Sequence, residues 1–169
     1  SINQCVVSNY LMKLSKNFSL VELTKSQTAE RKGIPNDPSP DHQENLRLLC
    51  ERVLQPVRDH FNHVVSVSSG YRSPQLCSAI GSSIDSQHAK GMACDFEIYG
   101  TPNNEVFNWI KGNLMYDQMI LEFWNEDEPN SGWLHVSYNP DSAENIKENL
   151  RAYKDEDNIT KYKPIIGDA

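Results

Sequence analysis

The apolar residues Leu46, Leu49, Cys50, Val53, Leu54 and Val57 recur at spacings of three and four, the period of a helix that buries one face. Ser39-Pro40 precedes them, an N-capping hydroxyl followed by a proline whose missing N–H costs nothing in the first helical turn. The pattern therefore predicts a helix over about 40–59, ended or bent at Pro56. A shorter helix is predicted from Ser19, because Ser19 and Glu22 have capping-box spacing and Phe18 and Leu23 are placed as a hydrophobic staple. The segment Gly33 to Pro40 contains three prolines and reads as a loop. Val64, Val65 and Val67 predict a strand ending at Gly70. Ser73-Pro74 predicts a helix to about Ile80, and the small polar run 81–86 a surface loop. Residues 93–99 alternate, with Ala93, Asp95 and Glu97 on one face and Cys94, Phe96 and Ile98 on the other. Thr101-Pro102 opens a helix stopped by Gly112, and 117–124 and 133–138 read as paired strands. After Asp141 the chain is charged, with a helix expected around 142–153 and a tail behind it. Residues 1–16 show no period, and Met12 is a conceivable start of translation.

The chain has 169 residues, enough for one ordinary core. We therefore expect an N-terminal extension over 1–16, one domain over 17–140, and a C-terminal segment over 141–169 packing on it or trailing it. The expected fold class is α+β, with a small, mainly antiparallel sheet and helices packed on one face. A net charge of -7 and a pI near 5.2 argue against nucleic acid as a partner. No apolar run reaches the ~20 residues of a membrane span, so no membrane insertion is expected. Cys5, Cys50, Cys77 and Cys94 form no Cys-x-x-Cys pair and read as reduced, buried thiols. The first residues lack the pattern of a secretion signal.

The candidate chemistry lies in Ser86-Gln87-His88-Ala89-Lys90-Gly91-Met92-Ala93-Cys94-Asp95, an imidazole and a carboxylate seven residues apart across a glycine. His135, on one face of the alternating stretch Trp133 to Ser137, is a candidate third ligand. Three ligands of these types leave a fourth position for water, as a catalytic zinc requires. Such a site also needs a base, and Glu122 is the candidate. If the strands pair with Trp124 facing Trp133, Glu122 stands directly opposite His135; a slip of two residues keeps it on that face, and a slip of one removes it.

Arg72 follows a strand and precedes a capped helix. Its guanidinium either binds a substrate carboxylate or oxyanion or pins the loop through backbone carbonyls. Ser86 either donates to Asp95 or orients its loop, and Gln87 is expected to face outward. Tyr71, Ser86 and Trp133 are expected to bind substrate or orient loops. His42, His60 and His63 read as surface residues, Glu126 to Glu128 as a solvated acidic tip, and Cys94 as a core residue. His-Glu-x-x-His, Gly-x-Ser-x-Gly and phosphate-loop patterns are absent.

These residues resemble the zinc D-Ala-D-Ala carboxypeptidase family, which includes phage cell-wall endopeptidases and shares its metal scaffold with the Hedgehog signalling domain. The resemblance spans most of 17–138. It rests on Asn17 to Leu23, Leu54 to Arg58, Ser69-Gly70-Tyr71-Arg72, Ser86 to Asp95, Asp117 to Glu122 and Trp133 to Ser137. It implies zinc on His88, Asp95 and His135, an active-site glutamate at 122, and Arg72 near the substrate or transition state. One position departs from many dipeptidases of the family: three residues before the last histidine, where they carry the catalytic acid, this chain has Gly132. The base must then come from the preceding strand.

The implied activity is zinc-dependent hydrolysis of peptide bonds in peptidoglycan stem or cross-bridge peptides, by a phage or prophage lysin or a virion-associated enzyme. Such a protein is expected to be made in the host cytoplasm and to reach the wall after lysis or holin release, or as a virion component beside other virion proteins. The alternative is a catalytically inactive, zinc-stabilised virion or binding module.

Overall fold

A computed structural model describes residues 12–169. Cys5 and the expected N-terminal extension as far as Leu11 lie outside the described residues.

A small two-stranded ladder, β1 (Lys13–Ser15) with β2 (Phe18–Ser19), leads into helix α1 (Leu20–Thr24). The Glu22 carboxylate accepts from the Ser19 N–H at 3.0 Å, the return half of the expected capping box. Phe18 and Leu23 are both buried. Helix α2 (Gln27–Lys32) and the extended 34–39 segment follow.

Helix α3 (Pro40–Leu49) begins where expected, with Ser39 Oγ accepting from the His42 N–H. It does not end at Pro56. A wide π turn at Cys50–Leu54, in which the Gln55 N–H reaches back to the Cys50 carbonyl, passes into α4 (Gln55–Phe61). Proline cannot donate to the carbonyl four residues back, and the widened turn just before it lets the helix run on. Asn62, at φ 52°, closes α4.

The main sheet has six strands: β3 (Ser66–Ser69), β4 (Ala93–Glu97), β5 (Gln118–Glu122), β6 (Trp133–Ser137), β7 (Glu148–Lys154) and β8 (Thr160–Pro164). Their spatial order is β3-β4-β6-β5-β7-β8. Every pairing is antiparallel except β5–β7, so the sheet is mixed. Helix α5 (Pro74–Ile80) follows β3, and α6 (Asn103–Asn113) joins β4 to β5. Gly112 lies inside α6 rather than ending it, since the Leu114 N–H still bonds to the Ile110 carbonyl.

One face of the sheet carries Cys94 and Phe96, Val136 and Leu134, Met119 and Leu121. These form one core with Leu46, Leu49, Val53, Leu54 and Val57 of the long helix and Val106, Phe107 and Ile110 of α6. All are fully buried, each worth about 1.5–3 kcal/mol in removal from water. Cys50, Cys77 and Cys94 are free and buried, as expected of core thiols. The other face presents Asp95, His135, Ile120 and Glu122.

The expected helix over 142–153 does not form. A short turn at Ser142–Glu144 and a left-handed Lys147 (φ 53°) lead straight into β7. Helix propensity here loses to the unpaired edge of β5, which β7 completes over five consecutive residue pairs from Gln118↔Glu148 to Glu122↔Ala152. Strand β8 then closes the sheet.

Candidate active site

Strands β4 and β6 pair with Asp95 directly opposite His135, and directly opposed side chains share a face. Asp95 Oδ1 lies 3.0 Å from His135 Nδ1 and 3.6 Å from His88 Nε2. His88 sits on a tight turn, Gln87–Lys90, capped by Ser86, whose Oγ accepts from the His88 N–H at 3.2 Å. Ser86 thus orients the loop. Gly91 closes the turn at φ +70°, and a Cβ there would lie 2.5 Å from the His42 carbonyl oxygen. Only glycine meets both demands.

His88 Nδ1 lies 2.8 Å from the Gly70 carbonyl oxygen. A carbonyl can only accept, so Nδ1 carries the hydrogen and Nε2 is the nitrogen turned toward Asp95. This is the second contact that fixes ring and tautomer in a metal-binding histidine. One donor atom from each of His88, Asp95 and His135 lies within 4.8 Å of the others, so the three could hold a metal ion. The 3.0 and 3.6 Å separations bracket the roughly 3.3 Å edge of a tetrahedron with bonds of about 2.0–2.1 Å. Two imidazoles and one carboxylate suit such an ion in both number and type.

Arg72 divides the Asp95 carboxylate. Its Nη2 donates to Oδ2 at 3.2 Å and its Nε to Ser69 Oγ at 2.9 Å, leaving Oδ1 to face the histidines. The pinning is thus through side chains, not backbone carbonyls. Burial pushes the Asp95 carboxyl up, but hydrogen bonds and charge from His135 and His88 outweigh it and hold the group well below the usual carboxylate range. The Arg72 N–H also donates to the His88 carbonyl at 3.1 Å, tying the loop after β3 to the turn that bears the imidazole.

The β5–β6 register differs from the one expected. Glu122 pairs with Trp133, and Ile120 is opposite His135. The cause lies at the end of the ladder, where Phe123 and Gly132 both take left-handed φ (55° and 68°) and turn the chain out of the sheet before Trp124 can pair. The Phe123 N–H goes instead to Ala152 on β7. This is a shift of two residues, so Glu122 keeps the face of His135 and stands diagonal to it. Burial, then the charge of Asp95, raises the Glu122 pKa, with His135 pulling the other way. A Cβ at Gly132 would lie 2.0 Å from the Glu122 carbonyl oxygen. No side chain can occupy that position.

Tyr71 is buried and builds the loop: its N–H donates to the Leu23 carbonyl and its own carbonyl accepts from Asn36. Trp133 is half-buried, its ring 5.4 Å from that of Phe123. Gln87 does not face outward but donates to Asp117 at 2.8 Å. His42 is not a surface residue either: it is half-buried, 5.8 Å from the Tyr71 ring, with Nδ1 buried and without a hydrogen-bond partner among the described residues. His60, exposed, stacks on Trp109 at 4.3 Å. A cavity of about 660 Å³ runs along the edge strand β3 and reaches Arg72, but His88, Asp95, His135 and Glu122 do not line it; the chemistry lies on the open face beside it.

Two supports escaped the sequence reading. The Gly70 carbonyl is a backbone group and leaves no residue-type signal. Asn103, buried, donates to the Ser131 and Gly132 carbonyls and so holds the turn entering β6.

The sequence model of the Peptidase M15 family matches residues 16–127, well over half of the chain. The chain belongs to that family, the one its motifs resemble, and is accordingly a hydrolase of the metallopeptidase class. No curated protein matches it.

Proposed function

We propose that the protein is a zinc-dependent peptidase acting on the stem or cross-bridge peptides of peptidoglycan, as a phage or prophage lysin or a virion-associated wall hydrolase. The observation that carries this reading is the convergence of His88, Asp95 and His135 on the sheet face that also bears Glu122. Zinc in that position would supply a Lewis acid for the scissile carbonyl and lower the pKa of the attacking water.

The chain's own residues do the rest. Glu122, half-buried and beside the ligands, takes the proton from water and returns it to the leaving amine. Its raised pKa keeps the carboxyl closer to the range in which it can do both. Arg72 aims Asp95 by holding its outer oxygen, and its partly exposed guanidinium steadies a substrate carboxylate or carbonyl. Ser86 and Gly70 hold His88, Tyr71 builds the loop that carries Arg72, and Trp133 flanks Glu122 on the open face.

The test is a mass spectrum of the soluble fragments released when zinc-loaded protein is incubated with purified peptidoglycan. New fragments with free amino groups at one peptide bond identify the bond and distinguish carboxypeptidase from endopeptidase cleavage. No fragment from several wall types would leave the inactive zinc-stabilised module as the better reading.

A further inference from the structure

The register of the sheet carries the active-site face past Glu122 into the C-terminal hairpin. Glu122 on β5 pairs with Ala152 on β7, and Ala152 pairs with Tyr162 on β8. Residues paired in register project to the same side of a sheet, so Glu122, Ala152 and Tyr162 form one row on the face that holds the histidines. Two strand spacings separate the outer members by about 10 Å. The residue between them, Ala152, carries only a methyl and is buried. Within that row nothing larger than a methyl stands between the carboxylate and the phenol.

Tyr162 is 56% exposed, although the residues beside it on β8, Lys161 and Lys163, project to the opposite face. An aromatic left open at the rim of a cleft offers an apolar wall and a hydroxyl at once. A phenol is protonated at neutral pH and able to donate, and burial, then the charges of Glu122 and Asp95, push its pKa further up. The same rim continues through Lys154, whose Nζ lies 5.6 Å over the Phe123 ring, and Phe123 in turn abuts Trp133. Residues 148–164 lie wholly outside the stretch matched by the family.

We infer that Tyr162 is a substrate-contacting residue, its hydroxyl donating a hydrogen bond to a backbone carbonyl or terminal carboxylate of the peptide on the Glu122 side of the scissile bond. The C-terminal hairpin is then one wall of the cleft. This rests on the peptidase reading above, and the test separates the two.

Initial rates of amino-group release are measured over a range of soluble muropeptide concentrations for the zinc-loaded wild type, Tyr162→Phe, and Tyr153→Phe as a control on the opposite face of the hairpin. Binding of the same variants to insoluble peptidoglycan is measured by co-sedimentation, each with Glu122→Gln to stop turnover. Removing one well-placed donor is expected to lower kcat/KM roughly tenfold to a hundredfold and to weaken co-sedimentation, with zinc content and Tm unchanged; Tyr153→Phe behaves as wild type. An active wild type with Tyr162→Phe within twofold of it in both assays overturns the role of Tyr162 and leaves the peptidase reading intact. A wild type that binds without cleaving leaves the co-sedimentation comparison to decide for Tyr162. A wild type that neither cleaves nor binds overturns both.

Discussion

Glu122 stands across the ladder from Trp133 and diagonal to His135, an arrangement set by the left-handed turn at Phe123 and Gly132 that ends the β5–β6 pairing. Glu122, Asp95 and His135 therefore belong to one sheet face, and the turn at Gln87–Lys90 brings His88 to it.

That geometry makes Gly132 a structural requirement. A Cβ there meets the Glu122 carbonyl at 2.0 Å in a backbone region that side chains rarely adopt. Gly132→Ala is expected to destabilise the protein by roughly 3 kcal/mol and to lower activity more than zinc content, because the disturbed carbonyl is that of Glu122. Chemical denaturation and metal analysis of the same sample check this.

Zinc binding and folding should be linked. At a free zinc concentration roughly a thousandfold above Kd, the metal adds about 4 kcal/mol, which for a chain of this size raises Tm by roughly 8–16 °C. His88→Ala should lose most of that rise and bind less than one equivalent of zinc. Full stoichiometric zinc in His88→Ala would mean that the ligands lie elsewhere.

Arg72 holds the outer oxygen of Asp95 and the Ser69 hydroxyl together. Arg72→Ala should weaken zinc affinity roughly tenfold to a hundredfold, the usual cost of losing a residue that orients a ligand. Arg72→Lys keeps the charge but not the fork, and should fall between. Competition titration with a chelator reads both.

The two carboxylates should give opposite pH signatures in metal-free protein. The Glu122 pKa is raised above 4.5 on folding, so its ionisation costs stability as pH rises from 4.5 through the folded value. Glu122→Gln should therefore be more stable than wild type at neutral pH, with the gain vanishing below 4.5. The Asp95 pKa is lowered below 3.8, so its contribution is complete above 3.8 and is lost as pH falls through the folded value. Asp95→Asn should be less stable at neutral pH, and the difference should close in acid. Denaturation midpoints at stepped pH read both signs.

What local chemistry encodes is legible in the sequence. Capping serines placed α1, α3 and α5, alternation placed β4 and β6, and the Ser86 to Asp95 spacing with His135 marked three residues that do converge. What only tertiary pairing decides is not legible there. The charged stretch after Asp141 has helical composition and becomes β7 because β5 offers an open edge. The hairpin register depended on left-handed backbone at Phe123, a residue type that gives no warning of it. The Gly70 carbonyl that orients His88, and the row from Glu122 to Tyr162, are products of chain crossings far apart in sequence.

The most direct measurement is the rate of amino-group release from purified peptidoglycan by wild type and Glu122→Gln, each shown to hold one equivalent of zinc. If Glu122 is the base at a zinc site formed by His88, Asp95 and His135, wild type releases amino groups and Glu122→Gln is slower by roughly 10²–10⁴-fold. Equal rates from the two proteins would contradict the assignment.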